Sequence, residues 1–261
     1  GFHLLAENFS SHIFLKDFKL TNRLLYNYFH MAYKECDAIH YPTQYLRDLN
    51  EKMYGKTNGY VISNGVNDIF RPAAEKKPFD GIYRIVYTGR YSREKSHKVL
   101  ISGVAQSKYK DKIKLILAGD GPLKENIKRQ IDSEGVNAEM NFFTRTQLVD
   151  VLNSAYLYVH AAEIEAEGIS CLEAIACGLV PIICDSDRCA TKSYALTDKS
   201  LFKNRDPHDL AEKIDWWIEH PDVRDEYSVK YANFAMDDLR QSVCMKKMED
   251  MLIETAKRFR K

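Results

Sequence analysis

The stretch "YRIVYTGRYSREKSHKVLISGVAQSKYKDKIKLILAGDG", residues 83–121, decides how this chain folds. Its two apolar runs, YRIVYTG and IKLILAG, each stop at a glycine, and between them SHKVLISGVAQS spaces its apolar residues at helical intervals. Strands buried on both faces read as near-continuous apolar runs, and strand–helix–strand is the repeating unit of a parallel sheet. The same alternation continues downstream. PLKENIKRQIDSEG predicts a helix with Pro122 in its first turn, EMNFFT a strand, TQLVDVLNSA a helix and YLYVHAA a strand. SCLEAIACG then predicts a helix closed by Gly178, LVPIICD a strand, and Asp206-Pro207 opens the helix HDLAEKIDWWIEH. Five β–α steps imply an α/β fold: a doubly wound parallel sheet, Rossmann-like, over residues 83–220.

Upstream, TNRLLYNYFHMAYKEC has Leu24, Leu25, Tyr28, Phe29, Met31 and Ala32 at helical spacing. AIHYP is a short strand stopped by Pro42, Thr43 caps the helix QYLRDLNEKMYG near Gly55, and GYVISNGV is a strand entering an Asn-Gly turn. The charged segment AAEKKPFDG after Pro72 reads as a linker. The tail RQSVCMKKMEDMLIETAKRF puts Cys244, Met248, Met251, Leu252 and Phe259 on one helical face and ends basic, with Lys257, Arg258, Arg260 and Lys261. The expected organisation is therefore 1–72, 73–236 and 237–261.

Composition narrows the function. A net charge of +1 argues against a dedicated nucleic-acid binder. No apolar run approaches the roughly 20 residues of a membrane span, and no signal peptide is visible. The six cysteines form no C-x-x-C pair and read as small buried hydrophobes in a reducing, cytoplasmic setting. The opening GFHLL reads as the middle of a longer protein.

Ligands of open α/β sheets lie at the carboxyl ends of the strands, and that rule selects residues. Gly89, Arg90 and Lys95 follow the first strand of the series, where a guanidinium and an ammonium suit a diphosphate. Gly119-Asp120-Gly121 follows the second; it lacks the third glycine of a dinucleotide fingerprint and reads as a tight turn with amides free for a ligand. Thr144 and Arg145 follow the third. After the fourth comes EAEGISCLEAIACG, residues 165–178, with three carboxylates at Glu165, Glu167 and Glu173. Ser170 and Glu173 fit a capping box, while Gly168 and the Ile169 and Ser170 amides offer an anion site at a helix start. Asp185 and Asp187 form a D-x-D pattern that reads as a helix-capping loop rather than a metal site, and the histidines show no zinc spacing.

Four segments in order, ISNGV, YTGRYSREK, LAGDGP and EAEGISCLEAIACGLVPII, resemble motifs of the retaining glycosyltransferases of the GT-B fold, family 4. FHLLAENFS is similar to an H-x-x-P-E-N segment of bacterial glycolipid-forming members, with Ala6 in the proline's place. The resemblance implies a nucleotide-sugar donor, UDP favoured, and a cell-envelope glycolipid or polysaccharide acceptor. It also implies a catalyst at the inner face of the membrane; the basic, aromatic 23–34 helix reads either as a peripheral membrane contact or as ordinary packing on the rest of its domain. It needs no metal or other cofactor and no nucleic-acid partner. By the same resemblance Arg90 and Lys95 hold the diphosphate, Glu173 accepts the ribose hydroxyls, Glu165 contacts the transferred sugar and His3 stands at the cleft edge. Gly89, Gly168, Ile169 and Ser170 lie against phosphate or sugar, and Thr144 and Arg145 flank the base. The usual E-G-F-G reads Glu165-Ala166-Glu167-Gly168 here, so the surroundings of the sugar differ. Residues 1–72 correspond to the last third of an acceptor-side domain and 237–261 to a helix crossing back to it, so the piece is expected to bind nucleotide and transfer poorly. The alternative is a nucleotide-sugar-binding module that needs a separate partner chain.

Overall fold

The structure is a computed structural model and describes residues 1–3, 5–7, 10, 17–75 and 78–259. Asn8 of the N-terminal segment, Arg260 and Lys261, and the Phe259 side chain lie outside the described residues. The first unit holds helix α1 (Lys19–Tyr33), strand β1 (Ile39–Tyr41), helix α2 (Gln44–Tyr54) and strand β2 (Gly59–Val61). β1 and β2 pair in parallel, with Ile39 opposite Gly59. Thr43 caps α2, its hydroxyl accepting from the Leu46 amide at 3.3 Å.

Six parallel strands follow: β3 (Tyr83–Thr88), β4 (Ile113–Ala118), β5 (Ala138–Asn141), β6 (Leu157–His160), β7 (Pro181–Asp185) and β8 (Leu201–Lys203). Helices α3 (His97–Gln106), α4 (Lys124–Glu134), α5 (Arg145–Asn153), α6 (Ile169–Ala176) and α7 (Pro207–Glu219) connect and flank them. The spatial order β5-β4-β3-β6-β7-β8 makes this the expected doubly wound sheet. Its strand order reverses between β3 and β6, which opens a crevice at their carboxyl ends. Ile85, Val86, Leu115, Leu117, Leu157, Val159, Ile182 and Ile183 are buried between the helical layers. Each such side chain contributes about 1.5–3 kcal/mol of burial free energy.

Several local expectations change. The sheet has a sixth strand, β8, which is three residues long and too short to show a pattern. Pro122 lies in the turn before α4, which starts at Lys124 after Leu123. The strand expected through Thr144 ends at Asn141. In α1 the buried side chains are Asn22, Tyr26 and Phe29, whereas Leu24, Tyr28 and Met31 face solvent. Five cysteines are buried and free, but Cys36 is exposed.

The chain passes between the two units twice, at one place. Helix α8 (Pro221–Asp238) ends beside the start of α9 (Gln241–Phe259), and residue 66 inserts alongside that break. The Val66 amide donates to the Leu239 carbonyl at 2.7 Å and the Gln241 amide to the Val66 carbonyl at 2.8 Å. α9 then buries Cys244 and Met251 against Ile62, while Leu252 points to solvent rather than joining that face. Gly65 sits at φ +78°, and a Cβ there would meet the Gln241 Cα at 2.6 Å. Gly65→Ala therefore meets both a left-handed backbone and a backbone clash. It should lower unfolding stability by about 1–3 kcal/mol. Urea denaturation checks this, and an unchanged midpoint would show the junction to be loosely packed.

Candidate functional site

β6 ends at His160, and residues 161–168 carry the chain from there to α6. Side chains 163–167 alternate. Ile164 and Ala166 belong to the core of the first unit, buried with Phe2, Leu5, Tyr26, Tyr41 and Leu46. The three glutamates between and beside them each have a different partner. Glu163 is ion-paired with Arg188 and Arg205. Glu165 is ion-paired with Lys95. Glu167 accepts from the Ser63 hydroxyl at 2.6 Å, the Asn64 amide at 2.9 Å and the Asn64 side-chain amide. The Thr43 hydroxyl adds a bond to the Ala166 carbonyl at 3.1 Å.

Lys95 arrives at Glu165 from the other side of the crevice, at the end of a single 3-10 turn (Arg93–Lys95) after β3. Burial alone would push the Glu165 carboxyl up. The Lys95 ammonium and the His160 ring outweigh it and hold the group at about 2. The His160 Nε2 stands 3.6 Å from the same carboxylate, and burial pushes its ring below the usual histidine value. Neither ring nitrogen of His160 has a hydrogen-bond partner among the described residues, and the buried Tyr87 hydroxyl has none either. Unpaired buried polar atoms are rare, and their concentration at the switch point marks it as a place for a polar ligand or water.

Gly168 ends the loop at φ +74°, where a Cβ would lie 2.2 Å from the Thr191 Cγ2. This glycine, rather than Ser170, is the N-cap of α6. The capping-box expectation fails for that reason. Ser170 is already inside the helix, where its hydroxyl accepts from Tyr158 at 3.3 Å, and Glu173 lies a full turn in. The first helical amides, Ile169 and Ser170, have no acceptor among the described residues, as expected of donors at a helix start. His3, Lys95, Glu165, Gly168, Ile169 and Ser170 line one cleft of about 300 Å³, with Asn64 and Glu167 in its wall.

The other selected residues stand outside this lining. Arg90 is exposed, and the Gly89 amide donates to the Ala118 carbonyl at 3.0 Å. Thr144 caps α5 through a reciprocal pair of bonds with Gln147. Arg145 is exposed, close enough to lower the Glu173 carboxyl, yet burial dominates and pushes Glu173 up to about 7. The Glu173 carboxyl has no hydrogen-bond partner among the described residues. In the GDG turn the amides are taken: Gly119 donates to the Asn141 carbonyl and Gly121 to the Asp120 carboxylate, both at 2.9 Å. Asp185 and Asp187 pair with Lys192 at 3.5 and 2.9 Å instead of capping a helix. Sequence reasoning missed Glu163 and His160 and left Glu167 without a role. Three glutamates at every second position in a loop were the available signal, since each needs its own partner when buried.

A family model described as glycosyl transferases group 1 matches residues 71–233. The chain belongs to this family. The Streptococcus pneumoniae alpha-monoglucosyldiacylglycerol synthase is 25% identical over 227 residues, 77% of this chain and 50% of that protein. The chain thus spans about half the length of this curated relative. The catalytic domain of the Helicobacter pylori cholesterol-alpha-glucosyltransferase is 44% identical, at a TM-score of 0.58, over 59% of this chain and 98% of that one. Anabaena HepE in complex with UDP and glucose superposes at a TM-score of 0.78 with 16% identity, over 92% of this chain and 68% of that one, a likeness of GT-B fold alone.

The Lys95–Glu165 pair predicts a pH signature. A carboxyl held at about 2 in the folded chain and near 4.5 when unfolded contributes stability that is complete above about pH 4.5. That contribution disappears as pH falls toward 2. Lys95→Met leaves Glu165 buried without its cation, and the acid-side loss should move upward in pH with lower stability at pH 7. Unfolding curves between pH 2 and 7 measure both, and superimposable wild-type and Lys95→Met profiles would refute the ion pair's role.

Proposed function

We propose that the chain forms the donor-binding part of a retaining glycosyltransferase of family 4, transferring a glucosyl unit from a UDP-sugar to a membrane lipid or other cell-envelope glycan. The observation that carries this reading is the cleft at the sheet's switch point, where Lys95, Glu165 and the open Ile169 and Ser170 amides converge. Cation and amide donors suit a diphosphate, and the paired carboxylate suits sugar hydroxyls. The two relatives named above act, by their names, on a diacylglycerol lipid and on cholesterol, and both make alpha-glucosides. Common nucleotide-glucose donors are themselves alpha-linked, so an alpha product corresponds to retention.

In this reading the bond between the sugar C1 and the diphosphate oxygen breaks with its electron pair going to phosphate. The acceptor hydroxyl oxygen bonds to C1 on the same face, and its proton passes to the departing diphosphate. Lys95, Arg90 and the α6 amides stabilise the growing negative charge, with no metal required. The Arg90 guanidinium, lacking a partner among the described residues, swings onto the diphosphate beside Gly89. Glu173 accepts the ribose hydroxyls, Glu165 and His3 face the sugar, and Thr144 and Arg145 flank the base.

A lipid acceptor fits the exposed side of α1. Phe18, Leu20, Leu24, Tyr28 and Met31 face solvent there, flanked by Lys19, Arg23 and Lys34, and the helix contains no acidic residue. No helix among the described residues is long and apolar enough to cross a membrane; in this reading α1 makes a peripheral contact at the cytoplasmic face.

A thermal-shift panel tests the reading. UDP or a UDP-sugar at a hundredfold excess over its dissociation constant should add about 2.7 kcal/mol of stability. Lys95→Ala and Arg90→Ala should remove most of it, and no response to any nucleotide would overturn the proposal. Glu173 gives a second test. Its ionised form is the better acceptor for ribose hydroxyls, so nucleotide affinity should rise as pH climbs through about 7. Glu173→Gln should abolish that part of the pH dependence and, by removing a buried ionisable group, raise stability at pH 8 relative to wild type.

A further inference from the structure

Behind the cleft wall lies a chain of polar groups that runs between two obligatory acceptors. At one end is the Glu167 carboxylate, 5% exposed, which receives the Asn64 side-chain amide. At the other is the Ile62 carbonyl, which receives the His40 Nε2. Between them the Asn64 Nδ2 stands 3.4 Å from the His3 Nδ1, and the His3 Nε2 stands 3.2 Å from the His40 Nδ1.

Two acceptors at the ends fix the direction of every bond between them. A carboxylate cannot donate, so Asn64 turns its NH₂ inward and offers the second hydrogen to His3. A carbonyl cannot donate, so His40 carries its proton on Nε2 and accepts at Nδ1. His3 is then bound to accept at Nδ1 and donate from Nε2. An added proton on either ring would set two donors against each other. Burial lowers both rings, the Gly1 ammonium lowers both and His40 lowers His3 further, while the Ile62 carbonyl and the Glu167 carboxylate pull His40 back upward. The remaining charged groups around His3 are the Lys95–Glu165 pair in the cleft lining, and Glu167 behind Asn64.

We propose that Glu167 is a positioning residue that, acting through Asn64, keeps His3 neutral with its lone pair on Nδ1, the acceptor offered to a hydroxyl of the bound sugar. The Asn64–His3 contact is the longest link, so a substrate hydroxyl can take over the Nδ1 lone pair there without disturbing the shorter bonds. This accounts for Glu167 standing beside Gly168 where the family resemblance leads one to expect an aromatic ring: it determines the protonation state of a residue in the first unit, 164 positions upstream by number (167 − 3). The sugar contact rests on the proposed donor; the proton position does not.

The test is nitrogen-15 NMR of the histidine rings in the 261-residue chain. In the wild type His3 and His40 should both show the Nε2–H tautomer, with His3 titrating below 6.5. Glu167→Gln places an amide donor against Asn64. Asn64 must then turn its carbonyl toward His3, and His3 should take up a proton about one pH unit higher than in wild type. Ser63→Ala, which removes a bond from the same carboxylate without touching Asn64, should leave the ring signals in place. UDP-glucose should bind Glu167→Gln about tenfold more weakly while UDP stays within about twofold, as expected for one lost contact to the sugar. An Nδ1–H tautomer at His3 in the wild type, an unchanged titration in Glu167→Gln, or the same shift in Ser63→Ala would overturn the inference. If neither UDP nor UDP-glucose binds the wild type, the proposed donor fails, while the tautomer result stands by itself.

Discussion

The rest of the site depends on the alternation of side chains 163–167. Along this loop apolar and acidic side chains take turns, and the two sets meet different surroundings. Ile164 and Ala166 are part of the first unit's apolar core, while the intervening glutamates face polar partners. A segment anchored in this way cannot shift by one residue without placing carboxylates in an apolar core and methyl groups against cations. The position of Glu165 at the switch point is therefore set by packing on both sides of it.

Three carboxylates so close in sequence would repel one another if left to a common solvent-poor pocket. The fold separates their electrostatics. Glu163 takes two guanidinium groups, Glu165 an ammonium and a histidine ring, and Glu167 a set of neutral donors. Only the middle one combines an ammonium partner with an open cleft and with unclaimed helix amides. Lys95 is held there by Glu165 and remains beside those amides, so the cleft carries a preplaced ammonium without a large uncompensated charge. The Glu167 partners come from the turn at which the chain leaves the first unit, which ties the shape of the cleft to the junction between Gly65 and Gln241.

Most of the sheet was legible because its strands are sequence-continuous apolar runs and its helices have amphipathic spacing. Each pattern reports burial that an element needs wherever it packs. β8, with three residues, carries too little pattern to be seen. The buried face of α1 was not legible because its spacing admits two apolar stripes, Tyr26 with Phe29 and Leu24 with Tyr28 and Met31, and local periodicity does not choose between them. Ser170 looked like a cap because the capping box is a four-residue pattern, but Gly168 at positive φ starts the helix two residues earlier.

By itself the sequence determined the parallel α/β class, the order of strands and helices, and which loops reach the carboxyl ends of the strands, because these follow from local burial patterns and the connectivity of β–α–β units. It also brought Lys95, Glu165 and Gly168 into one region through that topology. Only the tertiary structure decided that His160 and Glu163 belong to the same neighbourhood, that Glu167 bonds to Ser63 and Asn64, and that His3 is wedged between Asn64 and His40. Those outcomes depend on side chains separated by up to 104 residues meeting in one buried place. Which acceptor a buried donor finds there is fixed by three-dimensional proximity, about which spacing along the chain carries no information.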